Sequence, residues 1–199
     1  MATYSKVGVG DNILVIDWET SGSVFNDSYE ETFKKYQGLS FGAVIADSQT
    51  FTPKETLYRE IKFDPKYSWS EEAEAIHGLS REHLKENGVT PEEAATDLAS
   101  LIFKYFHTGK VTFLGHNTHF DIAATRQLLE PFEVMPEVHH VVLDTSPLGF
   151  ITIGKYRSND VFDFFTGGTR AEHNALDDAL QCLIVAHSVR TIFDMALQD

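Results

Sequence analysis

The chain has 199 residues, of which 42% are hydrophobic and 23% charged, as expected for one globular domain with a sizeable core. Its net charge of −14 argues against a basic-groove nucleic-acid binder, because that mode of binding uses Lys and Arg to neutralise phosphates. The single cysteine, Cys182, excludes an intramolecular disulfide and a cysteine-rich zinc site. With no signal-peptide pattern and no apolar run long enough to span a bilayer, we expect a cytoplasmic protein.

The first predicted element is a strand formed by the apolar run at residues 13–16. The run lacks the polar alternation of a half-exposed strand, so it should lie centrally in a sheet that is covered on both faces. Asp17 and Glu19 follow it and should point to the same side, with Trp18 on the other. Two neighbouring carboxylates repel each other unless a cation offsets their charge, and Mg²⁺ and Mn²⁺ prefer such oxygen ligands. The alternative, that Asp17 caps a turn and Glu19 is solvated, stays open on this stretch alone.

The rest of the chain follows the pattern of an α/β domain. Residues 23–38 form a polar and aromatic insert with one or two helical turns expected, and a hairpin of two strands joined through Pro53 should then flank the first strand. A capping-box pattern at Thr90 predicts a long helix that ends near Thr108. Strands then alternate with helices, which favours parallel crossovers and helices on both faces of one sheet. No linker divides the chain, so we expect one domain over residues 1–199. The other predicted strands cover residues 39–46, 55–63, 111–114 and 141–143, and the other predicted helices cover residues 70–76, 118–129 and 175–197.

The predicted helix at residues 118–129 carries a third acid in its first turn. Asp121 shares a helical face with Ala124 and Leu128, so its carboxylate projects from the stripe that faces the core. In open α/β sheets function gathers at the carboxyl ends of the strands, and residues 111–114 end just before this helix. An acid in that position is expected to have a partner.

The last predicted helix carries two adjacent acids with different surroundings. Asp178 shares a face with Cys182 and Val185, whereas Asp177 shares a face with Gln181. Asp178 is therefore predicted to be buried and Asp177 to face solvent. A buried carboxylate is costly unless it is paired or metal-bound. The candidate metal ligands are then Asp17, Glu19, Asp121 and Asp178.

An alternative for Asp178 is a set of backbone hydrogen bonds or an ion pair with Arg170, although four such acids together favour a metal site. His173 lies five residues before Asp178, behind a segment that begins Gly167-Gly168. A histidine on a flexible loop beside a metal cluster is suited to taking a proton from an attacking water.

Three segments that span most of the chain carry these residues. They read D-W-E-T-S-G from Asp17, G-H-N-T-H-F-D ending at Asp121, and H-N-A-L-D-D-A from His173. In type and order they resemble the three motifs of the DEDDh, or DnaQ-like, 3′–5′ exonucleases, a family that includes ribonuclease T and oligoribonuclease. I-H-G-L from Ile76 and D-T from Asp144 are similar to further segments of that family.

The resemblance implies a ribonuclease H-like fold, with a mixed five-stranded sheet and helices on both faces, and a two-metal mechanism. The four acids would bind two divalent cations, Mg²⁺ or Mn²⁺, and His173 would act as the general base. The attacking water would then cleave the terminal phosphodiester and release a nucleoside 5′-monophosphate. Candidates for binding the terminal nucleotide are Thr20, Ile76, His77, Asn117 and Phe120. Candidates for guiding the strand, unless they are only solvated surface residues, are Lys155, Arg157 and Arg170.

The predicted function is a 3′–5′ exonuclease acting on single-stranded 3′ ends, with DNA slightly preferred to RNA. An exoribonuclease similar to ribonuclease T or oligoribonuclease would use the same five residues and stays open. So do a catalytically silent nucleic-acid binder and a metal phosphatase acting on mononucleotides. The resemblance also suggests a polymerase or another replication or repair protein as a partner, and no membrane association is expected. The oligomeric state is left open, as is the effect of the insert at residues 23–38 on substrate choice.

Overall fold

The structure of the protein, a computed structural model, describes residues 10–23, 28–107, 109–168 and 173–197. Within them, one mixed five-stranded sheet has the order β3-β2-β1-β4-β5. Strand β1 pairs antiparallel with β2 and parallel with β4, β2 pairs antiparallel with β3, and β4 pairs parallel with β5. The strands are β1 (Asn12–Thr20), β2 (Gly38–Asp47), β3 (Pro53–Glu60), β4 (Phe113–Gly115) and β5 (Leu143–Asp144). The predicted opening hairpin beside the first strand is confirmed.

Several helices of the described residues begin at polar caps that the sequence places before them. Ser70 and Ser80 accept hydrogen bonds from the first turns of α2 and α3, and Thr90 forms the predicted capping box of α4 with Glu93. A short 3₁₀ helix, Glu130–Phe132, follows α5. The α-helices are α1 (Tyr29–Lys35), α2 (Glu71–His77), α3 (Arg81–Asn87), α4 (Pro91–Phe106), α5 (Thr118–Leu129), α6 (Thr145–Ile153), α7 (Ser158–Thr166) and α8 (Ala175–Ala196).

Both faces of the sheet are covered, as predicted. The side chains of β1 alternate between two hydrophobic cores, with Leu14 and Ile16 in one and Ile13 and Val15 in the other. Helices α4 and α5 pack in the first core, and α7 and α8 pack in the second. Residues 13–16 are completely buried, so β1 is the central, rigid strand that its apolar run indicates.

Some predicted boundaries are wrong. Pro53 begins β3 rather than lying in the loop, which is tolerated because β3 is an edge strand and the register shifts where Pro53 meets Ala46. Strand β3 ends at Glu60, before residue 63, and Ile61 forms an isolated bridge with Val89. Strand β4 begins at Phe113, later than residue 111.

Helices α3, α6 and α7 are absent from the sequence-based prediction. Helix α6 contains Pro147 and Gly149 and lacks an amphipathic period, and α7 is only nine residues long. Such helices form because the surrounding core selects them, and a local pattern does not reveal this. None of the described helices combines the length and the apolar character needed to cross a bilayer.

Candidate active site

The carboxyl end of β1 presents Asp17 and Glu19 on the face of the sheet that α8 covers. Asp17 pairs across the sheet with Gly42 on β2. A Cβ at Gly42 would lie 2.1 Å from the Cα of Leu176 and 2.4 Å from the carbonyl carbon of Ala175. The absence of a side chain at this position therefore lets the first turn of α8 rest directly on the sheet beside Asp17.

The first turn of α8 carries the fourth acid. Asn174 caps the helix, and its Oδ1 accepts hydrogen bonds from the backbone N–H groups of Leu176 and Asp177 at 3.0 and 3.3 Å. Asp178 is 5% exposed whereas Asp177 is exposed to solvent, which confirms the predicted difference between the two neighbours. The alternative partner of Asp178, Arg170, lies outside the described residues.

Asp121, in the first turn of α5, is the most deeply buried of the candidate acids at 2% exposure. Its Oδ2 has no hydrogen-bond partner among the described residues. A Cβ at Gly115 would lie 3.1 Å from that oxygen, so the glycine makes the space that the carboxylate occupies. Burial raises the pKa of Asp121 well above its usual range, and the charges of Asp144 and Glu19 raise it further.

The loop before α5 is held by Asp144, the N-cap of α6. Its carboxylate accepts hydrogen bonds from the backbone N–H groups of Asn117 and Thr118, both at 3.0 Å, and from Ser146 at 2.8 Å. The two donors from Asn117 and Thr118 tie the start of α5 to Asp144, while the third caps α6. The first two therefore also fix the direction in which Asp121 enters the site.

Three of the predicted site residues form a group with the chemistry of a metal site. One ligand atom from each of Glu19, His173 and Asp178 lies within 4.8 Å of the other two. Asp17, Asp121 and Asp178 all lie close enough to the buried Cys182 thiol to raise its pKa, although burial contributes most. The structure thus brings all five predicted catalytic and ligand residues to one end of β1.

The donor set fits hard divalent cations. Carboxylates predominate, and a buried, unpartnered oxygen on Asp121 is the kind of atom that a cation would satisfy. Carboxylates that lie close together repel one another, and a cation bound between them reduces this repulsion. The residues present are therefore consistent with binding Mg²⁺ or Mn²⁺.

The predicted nucleotide-binding residues differ in how exposed they are to solvent. His77 shares a cavity of about 190 Å³ with Glu19 and His173, and burial lowers its pKa. Ile76 is 57% exposed at the end of α2. Thr20, by contrast, is buried, and its hydroxyl donates to the carbonyl oxygen of Gly22 at 3.0 Å.

Asn117 and Phe120 lie at the start of α5. Asn117 is exposed and adopts the left-handed conformation with φ of 64°, which Asn tolerates better than most residues. Phe120 is half-buried and contacts the rings of Tyr29 and Phe33 on α1. The insert at residues 23–38 therefore packs against this part of the site, and residues 24–27 within it lie outside the described residues.

Two of the three candidates for guiding a strand lie on the loop between α6 and α7. Lys155 and Arg157 are exposed, and Arg170 falls outside the described residues. The carbonyl oxygen of Tyr156, between them, is 2.9 Å from Nε2 of His116. This contact holds the loop beside the residues that precede α5.

Sequence reasoning overlooked the two glycines that shape the site. Gly42 and Gly115 lie within strands, where a glycine weakens the strand unless another group approaches closely. The sequence contains these two glycines, but it does not show which groups approach them. In the structure those groups come from α8 and α5. Tyr29 was overlooked as well: its hydroxyl donates a hydrogen bond of 2.6 Å to Oδ1 of Asn117, and nothing local in the sequence indicates this contact.

No protein-family model matches the sequence, and no curated protein matches it. Solved structures of exonuclease I do match. The E. coli enzyme bound to a 5cy-dT13 oligonucleotide gives a TM-score of 0.69 at 19% identity, over 94% of this chain and 43% of that chain. Exonuclease I from Methylocaldum szegediense gives 0.69 at 19% identity, over 90% and 40%. A zinc-bound complex of the E. coli enzyme with single-stranded DNA gives 0.66 at 18% identity, over 94% and 43%.

These likenesses establish the architecture. The chain shares its mixed five-stranded α/β fold with the matched part of those structures, and the predicted ribonuclease H-like fold class is confirmed. It spans less than half the length of the exonuclease I chains that it matches.

Proposed function

We propose that this chain, which shares the fold of part of exonuclease I, is a metal-dependent 3′–5′ exonuclease acting on single-stranded nucleic acid, with DNA slightly preferred to RNA. The observation that carries the proposal is the cluster of Glu19, His173 and Asp178, whose ligand atoms lie within 4.8 Å of one another. The buried carboxylate of Asp121 adds to it. A fold alone supports many chemistries, so the argument rests on this site. We assign the exonuclease domain to residues 1–199.

Asp17, Glu19, Asp121 and Asp178 would hold two divalent cations, Mg²⁺ or Mn²⁺. Such ions, when bound, supply positive charge for the attacking and leaving oxygens of a phosphodiester displacement. The deep burial of Asp121 and Asp178 keeps these two carboxylates in fixed positions. Pre-set positions avoid reorganisation during the reaction, which is the main way a protein lowers the barrier to phosphoryl transfer.

His173 is the proposed general base. It would take a proton from the water that attacks the terminal phosphorus. The new P–O bond forms to that water, the P–O3′ bond breaks, and the leaving 3′ oxygen is protonated from solvent. The products are a nucleoside 5′-monophosphate and a strand that is one nucleotide shorter with a free 3′ hydroxyl.

Contacts with the terminal nucleotide are proposed for Ile76, His77, Asn117 and Phe120, and for Thr20 as part of the same motif as Glu19. Exposed apolar and aromatic side chains can pack on any base, so binding should be largely independent of sequence. The DNA preference is supported by the similar structures, whose ligands are single-stranded DNA oligonucleotides. A polymerase or another replication or repair protein is the proposed class of partner, and the cytoplasm is the proposed location.

The test is digestion of matched 5′-labelled single-stranded DNA, single-stranded RNA and duplex DNA in Mg²⁺, in Mn²⁺ and in EDTA. We expect a ladder that shortens from the 3′ end, requires metal and is fastest on single-stranded DNA. The control is Asp17→Asn, which keeps the size of the side chain and removes its charge.

Each other outcome overturns part of the proposal. A faster rate on RNA would assign the site to an exoribonuclease. Phosphate release from mononucleotides without strand shortening would indicate a phosphatase. No shortening of any substrate with either metal would leave a binding protein as the function.

A further inference from the structure

Helix α1, formed by the insert, contacts Asn117 and Phe120 at the start of α5. The hydroxyl of Tyr29 donates a hydrogen bond of 2.6 Å to Oδ1 of Asn117. The ring of Tyr29 meets Phe120 edge-on at 5.9 Å between centroids, and Phe33 meets the same ring at 5.0 Å. The insert is thus in direct contact with two of the residues proposed to bind the terminal nucleotide.

The hydrogen bond sets the orientation of the Asn117 amide. Its Oδ1 is taken by Tyr29, and no described residue accepts a hydrogen bond from its Nδ2. The side chain also makes no capping hydrogen bond to α5, in contrast to Asn174 on α8. The backbone of Asn117 is held separately, because its N–H donates to Asp144 at 3.0 Å. Asn117 therefore presents a fixed N–H donor at an exposed position.

An N–H donor in a fixed orientation complements the acceptors at the end of a nucleic acid strand. Phosphate and sugar oxygens are such acceptors, and contacts with them carry no sequence information. Asp144, which holds the Asn117 backbone, is also close enough to influence the ionisation of Asp121. The donor therefore lies on the loop that borders the acid cluster.

We infer that Tyr29 is a positioning residue, which holds the Asn117 amide as a hydrogen-bond donor to a phosphate or sugar oxygen of the 3′-terminal nucleotide. The inference rests on the proposed function. It gives the insert a role in binding the substrate end, and it makes α1 part of the site although none of its residues belongs to the three motifs.

The packing of α1 does not depend on the Tyr29 hydroxyl. Phe33, a residue of α1 itself, is buried. Nε2 of Gln127 donates hydrogen bonds to the carbonyl oxygens of Phe33 and Tyr36, at 2.7 and 2.6 Å. Its Oε1 accepts a hydrogen bond from the N–H of Gly38 at 2.9 Å. Removing the hydroxyl should therefore leave α1 in place, so its removal tests positioning rather than folding.

The experiment compares wild type with Tyr29→Phe on a 5′-fluorescein dT13 oligonucleotide in Mg²⁺. We expect KM to rise about three- to tenfold, the effect of one net hydrogen bond, with kcat changed less than about twofold and the melting temperature unchanged. The matched control is Tyr105→Phe, which removes a hydroxyl that donates to Glu55 on β3, away from α5. It should leave KM at the wild-type value.

A double-mutant cycle tests whether Tyr29 acts through Asn117. Asn117→Ala alone should raise KM, and adding Tyr29→Phe to it should cause no further rise. If Tyr29→Phe has the wild-type KM, or if its effect persists in the Asn117→Ala background, the inference is wrong while the proposed function stands. If the wild-type protein neither shortens nor binds the oligonucleotide, the proposed function fails and the inference fails with it.

Discussion

Asp177 and Asp178 are adjacent residues with opposite surroundings, and this contrast gives the sharpest test of the site. Asp178 is 5% exposed and lies with Glu19 and His173, whereas Asp177 faces solvent. We expect Asp178→Ala to lower kcat/KM on single-stranded DNA at least about a thousandfold, as the loss of a group that organises transition-state charge does. Asp177→Ala should stay within about twofold of wild type. Equal losses in the two variants would contradict the assignment of helix faces.

The buried carboxylate of Asp121 predicts an inverse relation between stability and function. Its folded-state pKa is raised by burial, so ionisation penalises the folded protein. The penalty is absent below the unfolded-state pKa, grows as the pH rises towards the folded-state pKa, and is complete above it. Asp121→Asn removes the charge and should therefore raise the melting temperature in EDTA at neutral pH, by about 2 to 4 °C for each kcal/mol gained.

The measurement is a thermal melt of both proteins in EDTA from pH 5 to pH 8. The advantage of Asp121→Asn should increase with pH, while the variant should lose its nuclease activity. A wild-type protein that is equally or more stable at pH 8 would show that the ionised Asp121 has a compensating partner in the metal-free protein.

At the scale of elements, the sequence predicted what local patterns control. The apolar run at residues 13–16 identified the central strand, the Thr90 capping box identified α4, and the helical faces of α8 separated its two acids. Helices α3, α6 and α7 and the exact ends of β3, β4 and β5 were not predicted, because packing decides them rather than propensity. The same limit applied to the site, where the acids were identified but the contacts that hold them were not.

Gly42 shows what a local pattern does not contain. A Cβ there would lie 2.1 Å from the Cα of Leu176, a backbone atom that cannot move without moving α8. Gly42→Ala should therefore push the first turn of α8 from the sheet and displace Asp178. We expect a loss of about 1 to 3 kcal/mol in the free energy of unfolding and a fall in activity of about a hundredfold or more.

Melting curves and kcat/KM measured together test this expectation. Gly10→Ala is the control, since a Cβ at Gly10 meets nothing within 4 Å. A Gly42→Ala protein with wild-type activity would mean that the position of the α8 turn is not needed for the reaction.

At the scale of the whole molecule, an acidic protein is proposed to bind a polyanion. The chain carries 16 Lys and Arg residues against 30 Asp and Glu residues. Long-range electrostatics should therefore oppose the approach of nucleic acid, and attraction should come from cations bound at the acid cluster. Of the basic residues singled out in the sequence, Lys155 and Arg157 lie exposed near the start of α5.

This charge balance predicts an unusual salt dependence. With phosphate contacts from Lys155, Arg157 and at most Arg170, the logarithm of affinity for dT13 should fall against the logarithm of salt concentration with a slope of only about −1 to −2. Removal of divalent cations with EDTA should weaken binding more than a rise in salt does.

Fluorescence anisotropy on the His173→Ala variant measures both effects, because that variant keeps the four acids and should not digest the probe. In Lys155→Gln/Arg157→Gln the slope should approach zero, whereas a wild-type slope steeper than about −4 would indicate a broad basic path and contradict an attraction centred on the acid cluster.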